Sequence, residues 1–405
     1  MYKQTSVSRE VFGNGENRLV RGNVMNLPAE IAGLAGKVQC VYADPPFMTG
    51  ERFFRSRPYG EKGWKTGSPA PKYPAYDDRY TSEQTYLKML RKLVSVSREL
   101  LRETGVFYLH LDWRMAAQAR LICDRVFGKN QFLNEIIWAY ESGGRAKRYF
   151  SRKHDVILLY ARGGKYTFDL TRVPLPRGSE RRNHMARGQD EQGRMFSRIT
   201  TRGKEYRYYD DEPIYPGDVW TDVSHLQQRD PERTGYATQK PVRLLERLLL
   251  PVTGEGDWVV DLCCGSGTTL DAAQRLNCRF AGMDKNPEAL AVALSRLRAD
   301  NLTVVCETSR EKAALLTEED AGEGLLTIQG LKTTHPLFPE NGTPTDPLEA
   351  WETGRIENGV FLAERRFQRS FRYPALPVSL KTDPERIQAI LTTDAAGRRT
   401  AFQRV

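Results

Sequence analysis

Trp258-Val259-Val260-Asp261-Leu262-Cys263-Cys264 runs directly into Gly265-Ser266-Gly267-Thr268-Thr269, and a helical pattern follows from Leu270. An apolar strand, a glycine turn and a helix in that order bring bare backbone N–H groups up to a ligand, as nucleotide-type cofactors require. A second strand, Arg279-Phe280-Ala281-Gly282-Met283, ends in Asp284, about 20 residues on, the spacing of a carboxylate that takes ribose hydroxyls. No lysine follows the glycines, so the turn is not the phosphate loop of a nucleotide hydrolase.

Far upstream, Val38-Gln39-Cys40-Val41-Tyr42-Ala43 leads into Asp44-Pro45-Pro46-Phe47. The prolines stiffen the backbone at the end of a buried strand and leave a carboxylate and a carbonyl beside an aromatic ring. Such a corner suits the grip of a planar amino group. Between the two regions, Thr238-Gln239-Lys240-Pro241 opens an apolar-periodic helix over 242–249.

In that order, the Asp-Pro-Pro-Phe corner, the Thr-Gln-Lys-Pro helix start and the Gly-Ser-Gly-Thr-Thr turn resemble the β-class amino-methyltransferases of DNA. The resemblance covers residues 17–305, including Arg21-Gly22-Asn23 and Gly217-Asp218-Val219-Trp220. It implies S-adenosylmethionine as methyl donor and catalytic roles for Asp44, Pro45, Pro46 and Phe47. It assigns donor contacts to Asn23, Thr238, Gln239, Lys240, Asp261, Cys263, Gly265, Ser266, Gly267, Thr268, Thr269 and Asp284, with Asp284 on the ribose and Lys240, Thr268 and Thr269 at the methionine end. The family usually carries proline and phenylalanine where this chain has Leu262 and Cys263, and aspartate where it has Asn23; the usual aromatic stacking on the donor adenine is thereby put in question.

An exocyclic amine is a poor nucleophile because its lone pair is delocalised into the ring. Two oxygen acceptors at the corner can hold both amino hydrogens and draw the nitrogen toward tetrahedral geometry. A base inside a duplex cannot reach such a corner, so the nucleotide must rotate out of the stack, and Phe47 is placed to stack on it. The leading Asp favours N6 of adenine, because the family's cytosine-modifying members more often carry serine there. N4 of cytosine is the alternative target. Rival readings are a degenerate DNA-recognition subunit that no longer holds the donor, and an enzyme acting on RNA or on a protein amide.

The alternation of strand and helix patterns predicts an α/β fold with a doubly wound, mostly parallel sheet. Because the target corner precedes the donor turn, the methyltransferase sheet is circularly permuted. Expected units are 1–164 and 236–308, the two halves of the methyltransferase domain, 165–235, a target-recognition insertion, and 309–405, a small C-terminal appendage. Residues 48–78 show no sustained period and read as one long loop; 310–405 read as loosely structured, with one strand near 359–363.

The chain has 405 residues and a formal charge of +10, which favours a polyanionic partner. Arg145, Lys147, Arg148, Arg152 and Lys153 form a basic run interleaved with Tyr149 and Phe150, and Arg181 and Arg182 continue it; these are the expected contacts to duplex DNA. The six cysteines lack metal-ligand spacing, so no metal is expected and the thiols read as reduced. No apolar run has membrane-spanning length and no secretion signal is visible, giving a cytoplasmic expectation with no membrane partner. A homodimer and a restriction partner are left open by the resemblance.

Overall fold

In the computed structural model, which describes all residues except 57–58, 69–71, 142–144, 178–184, 228–229, 299, 310, 321, 324, 334–342, 344, 370–374 and 397, fifteen strands join into one sheet. From one edge it runs Val219–Trp220, Phe132–Ala139, His154–Ala161, Leu101–Leu111, Val38–Ala43, Trp258–Asp261, Arg279–Asp284, Asn17–Arg21, Asn301–Val305, Arg9–Gly13, Val360–Gln368, Leu348–Glu357, Ala389–Asp394, Arg399–Arg404 and Tyr2–Thr5. The strands from Leu101–Leu111 through Asn301–Val305 are mutually parallel, with antiparallel neighbours on either side. This is the expected α/β class.

The central strands are apolar throughout because both faces are covered. Cys40, Tyr42, Val106, Tyr108 and Val259 pack beneath helices Val242–Leu249, Thr268–Arg275 and Pro287–Arg296. Val41, Ala43, Phe107, Leu109 and Val260 pack against helices Glu83–Leu100 and Ala116–Phe127. The first of these two helices shows how local sequence sets an element. Ser82 Oγ accepts the Thr85 N–H at 3.2 Å, a cap typically worth about 1 kcal/mol. Tyr86, Leu90, Leu93, Val94 and Ser97 then recur at three- and four-residue spacing on the buried face, as an amphipathic helix requires.

Chain direction places the site. From Val38–Ala43 the chain passes to Leu101–Leu111 on one side, whereas from Trp258–Asp261 it passes to Arg279–Asp284 on the other. A crevice forms beyond the carboxyl ends of strands that diverge in this way. The register pairs Asp261 with Tyr42, so Asp44 and Cys263 leave the sheet side by side.

Three regions hold elements that the sequence did not reveal. Residues 48–78 are not one loop: Arg52–Ser56 pairs antiparallel with Lys72–Asp77, and a short helix, Gly60–Thr66, lies between them. These elements are too short to show a period, and Phe53 stacked on Tyr76 at 4.6 Å helps hold the pair. Within 165–235, Ala186–Gln189, Met195–Thr201 and Lys204–Tyr209 form a separate antiparallel sheet, while Val219–Trp220 rejoins the main one.

Beyond 310, the described residues form seven strands between Ala313 and Arg404, four of them extending the main sheet. Two ion pairs are buried there, Arg366 with Glu352 at 2.7 Å and Arg399 with Glu10 of the N-terminal strand Arg9–Gly13, and polar residues at core positions erase the alternation by which strands are read. Of the prolines in this stretch, Pro336, Pro339 and Pro344 lie outside the described residues and Pro347 is in a turn before Leu348–Glu357.

Candidate active site

The glycine turn owes its shape to positive backbone angles. Gly265 has φ +47° and Gly267 φ +75°, values that L side chains rarely adopt. The Gly265 N–H donates to Asp284 Oδ2 at 3.0 Å, and the Cys264 N–H to the Met283 carbonyl at 2.9 Å. A Cβ on Gly265 would stand 3.3 Å from the Tyr236 ring, and one on Gly267 only 2.7 Å from Ala293 Cβ. Gly267 therefore serves helix packing; Gly265 keeps the cradle open.

A cavity of about 490 Å³ opens at this turn, within the range of small-ligand sites. Asp44, Pro45, Pro46 and Phe47 line it together with Asn23, Thr238, Gln239, Lys240, Asp261, Cys263, Gly265, Ser266, Thr268, Thr269 and Asp284. Among the residues singled out for catalysis or donor contact, Gly267 alone is absent from the lining.

Several of these side chains are committed to the protein itself. Asn23 Oδ1 accepts the N–H groups of Met25 and Asn26 at 2.9 and 3.1 Å. Gln239 Oε1 accepts both the N–H and the hydroxyl of Thr234 at 2.8 Å, and its Nε2 donates to the Glu232 carbonyl. Thr268 Oγ1 donates to the Lys240 carbonyl at 3.1 Å and accepts from Arg296 at 2.8 Å, tying the central helix start to the glycine turn. Thr238 sits at φ +60° with its hydroxyl 3.3 Å from Tyr76 Oη.

Asp261 Oδ1 accepts the Cys263 N–H at 3.0 Å. Burial pushes its carboxyl up to about 7, with Asp44 and Asp284 adding in the same direction and the Thr269 and Cys263 donors opposing. Burial likewise raises Asp284 against its backbone donors and holds the Cys263 thiol well above the ordinary range. A thiol so raised is no nucleophile near neutrality.

Lys240 lines the cavity and also reaches the corner at 44–47. Its Nζ donates to Asp44 Oδ2 at 2.5 Å and lies 5.1 Å from the centre of the Phe47 ring. The corner is braced from behind as well: Asp78, buried, accepts from the Met48 N–H, the Thr49 N–H and the Thr49 hydroxyl at 2.7 to 2.9 Å.

A buried polar chain beneath the corner escaped the sequence reading. Tyr42 Oη lies 2.8 Å from His110 Nδ1, His110 Nε2 lies 3.0 Å from Asp155 Oδ2, and Tyr140 Oη donates to Asp155 Oδ1 at 3.0 Å. All four groups are satisfied when Nε2–H donates to Asp155 and Nδ1 accepts from Tyr42. Phe47 stacks over His110 at 6.2 Å with an interplanar angle of 24°. The signal available was a histidine and an aspartate at core positions of adjacent strands. Tyr76, Tyr80 and Tyr236, which line the cavity, gave no signal.

Of the expected DNA contacts, Arg145, Lys147, Arg148 and Arg152 are exposed and Lys153 is half-buried, its Nζ donating to the Glu141 carbonyl at 2.5 Å. Arg181 and Arg182 lie outside the described residues. In the small sheet, Arg187, Arg194 and Arg198 pair with Asp210, Asp211 and Glu205. No group of three or more potential metal ligands occurs among the described residues.

A profile of the DNA methylase family of the N6/N4 type matches residues 38–295. The chain belongs to this family. Among similar methylases, the type II methyltransferase M.EcaI of Enterobacter cloacae is 25% identical over 308 residues, 64% of this chain and 64% of that protein. The DNA adenine methyltransferase YhdJ of Escherichia coli (strain K12) is 26% identical over 294 residues, 71% of this chain and 84% of that protein. The match thus spans somewhat under two thirds of M.EcaI. Among solved methylase structures, the cytosine-N4-specific PvuII DNA methyltransferase covers 73% of this chain and 92% of its own, with 13% identity and a TM-score of 0.45.

Proposed function

We propose that the protein transfers a methyl group from S-adenosylmethionine to the N6 amine of an adenine rotated out of duplex DNA. The observation that carries this reading is the adjacency of Asp44 and the glycine turn on paired parallel strands, around one cavity. The residues fit the donor: Gly265 leaves a cradle that a Cβ would fill against Tyr236, and Asp284 borders it. Cys263 offers a neutral thiol in place of an aromatic ring.

Bound there, the donor supplies an electrophilic methyl carbon on a sulfonium. The chain supplies position. Asp44 and the Pro45 carbonyl accept the two amino hydrogens of the target, and Phe47, backed by His110, stacks on its ring. Lys240 fixes Asp44 Oδ2, so that Oδ1 is presented to the amine. Holding nucleophile and methyl carbon in line can supply on the order of 7 to 11 kcal/mol of the barrier, so this route calls for no metal and no strong base.

The preference for adenine rests on Asp44 and on the adenine methyltransferase YhdJ among the relatives. The similarity to the Mod subunit of the type III restriction-modification enzyme EcoP15I of Escherichia coli adds a restriction partner to the reading. Incubation with methyl-labelled S-adenosylmethionine and duplex DNA, followed by nucleoside analysis, tests it. N6-methyladenine is expected. N4-methylcytosine would replace the base while keeping the chemistry; label only in RNA or protein, or none, would overturn the reading.

A further inference from the structure

Phe150 is 98% exposed, an unusual position for a phenylalanine, and it does not stand alone: Tyr149 is 61% and Trp113 40% exposed. Arg152 binds the last two into a layer, its guanidinium 3.6 Å from the Trp113 ring and 4.8 Å from that of Tyr149. Isolated apolar residues on a surface call for no explanation, but an aromatic cluster does. Its surroundings name the partner. Between 141 and 153 there are five cations, Arg145, Lys147, Arg148, Arg152 and Lys153, against the single carboxylate of Glu141.

The topology puts this cluster on the catalytic edge. Leu101–Leu111 is parallel to Val38–Ala43, so Trp113 leaves the sheet at the same end as Asp44. Phe132–Ala139 ends and His154–Ala161 begins at that end too, since each is antiparallel to its neighbour. The loop between them is pinned at its base by the Tyr140 N–H on the Lys153 carbonyl at 2.9 Å and by Tyr140 Oη on Asp155. Asp155 in turn holds His110, on which Phe47 stacks. The loop that offers Phe150 is thus rooted in the residues beneath the target pocket. With strands about 4.8 Å apart, its root lies roughly 10 to 15 Å from the catalytic strand.

We propose that Phe150 enters the duplex at the step the target base vacates, the Tyr149–Arg152–Trp113 layer supporting it and the flanking cations engaging the phosphates. The inference rests on the methyltransferase reading and assigns it a residue that maintains the flipped state. Apolar side chains that insert between base steps act in this way, and a stacking ring replaces contacts that the departing base gives up.

The test compares wild type, Phe150→Ala and Phe150→Trp on two duplexes, one with the methylated adenine paired to thymine and one with it opposite an abasic site. On the paired duplex Phe150→Ala should lose about ten- to a hundred-fold in kcat/KM, with Phe150→Trp close to wild type. Opposite an abasic site, where the base leaves its stack without breaking a pair, most of that loss should disappear, while S-adenosylmethionine affinity stays unchanged throughout. Equal activity of Phe150→Ala and wild type on both duplexes, or an equal loss on both, would overturn the inference and leave the methyltransferase reading standing. No methylation of either duplex by wild type would overturn both.

Discussion

Lys240 and Asp44, 2.5 Å apart, link the central helix start to the corner at 44–47. A charge-assisted hydrogen bond of this kind contributes about 1.5 to 3 kcal/mol. If Lys240 acts on the carboxylate, Lys240→Met should lower kcat by about ten- to a hundred-fold with little change in donor affinity, and Lys240→Arg should recover part of it. A lost donor affinity at unchanged kcat would return Lys240 to the methionine end of the donor. Asp261 makes a different prediction. Its carboxyl is pushed up to about 7 in the fold, against about 3.9 in an unfolded chain. A raised carboxyl favours the fold while protonated, so its contribution is full below about pH 4 and is lost as pH rises toward 7. Asp261→Asn should therefore gain on wild type by about 1.4 kcal/mol per pH unit across that window and level off above it. Urea titrations at pH 4, 5.5 and 8 would show this; parallel curves for the two proteins would contradict it.

Among elements, the turn and helix at 265–275 show what sequence can and cannot reveal. Strand, glycine turn and helix were legible because each uses residues with few alternatives: apolar runs, positive φ, a helical period. What Gly267 does was not legible, since its constraint comes from Ala293 on a helix twenty-six positions away. Gly267→Ala should cost about 1 to 3 kcal/mol from overpacking and backbone strain together, measured by urea unfolding; wild-type stability would refute the contact. The same limit explains the other misses. The paired strands at 52–77 are held by a Phe53–Tyr76 stack and the Asp78 clamp rather than by periodicity, and the Tyr42–His110–Asp155 chain joins three strands whose neighbourhood only the sheet order defines.

For the whole molecule, one sheet carries both the methylase half and four later strands between Leu348 and Arg404, while Ala313–Asp320, Leu325–Thr333 and Ser379–Lys381 form a small sheet of their own. The motifs exposed the first because chemistry constrains them; the second buries charge in pairs and left no pattern to read. The net charge of +10 is unevenly spent: arginines around the sheet at 186–209 are matched by carboxylates, whereas Arg145, Lys147 and Arg148, at the end of the main sheet where Asp44 lies, are exposed with few acidic neighbours in sequence. Replacing Lys147 and Arg148 by alanine should reduce the slope of log affinity for duplex DNA against log salt by about 2, roughly one per phosphate contact; an unchanged slope would remove them from the interface. The most direct measurement is methyl transfer by Asp44→Ala alongside its binding of S-adenosylmethionine. The account predicts transfer reduced by about a hundred- to a thousand-fold, on the scale of removing a preorganised transition-state contact, with donor affinity within a few-fold of wild type. Near-normal turnover would contradict it.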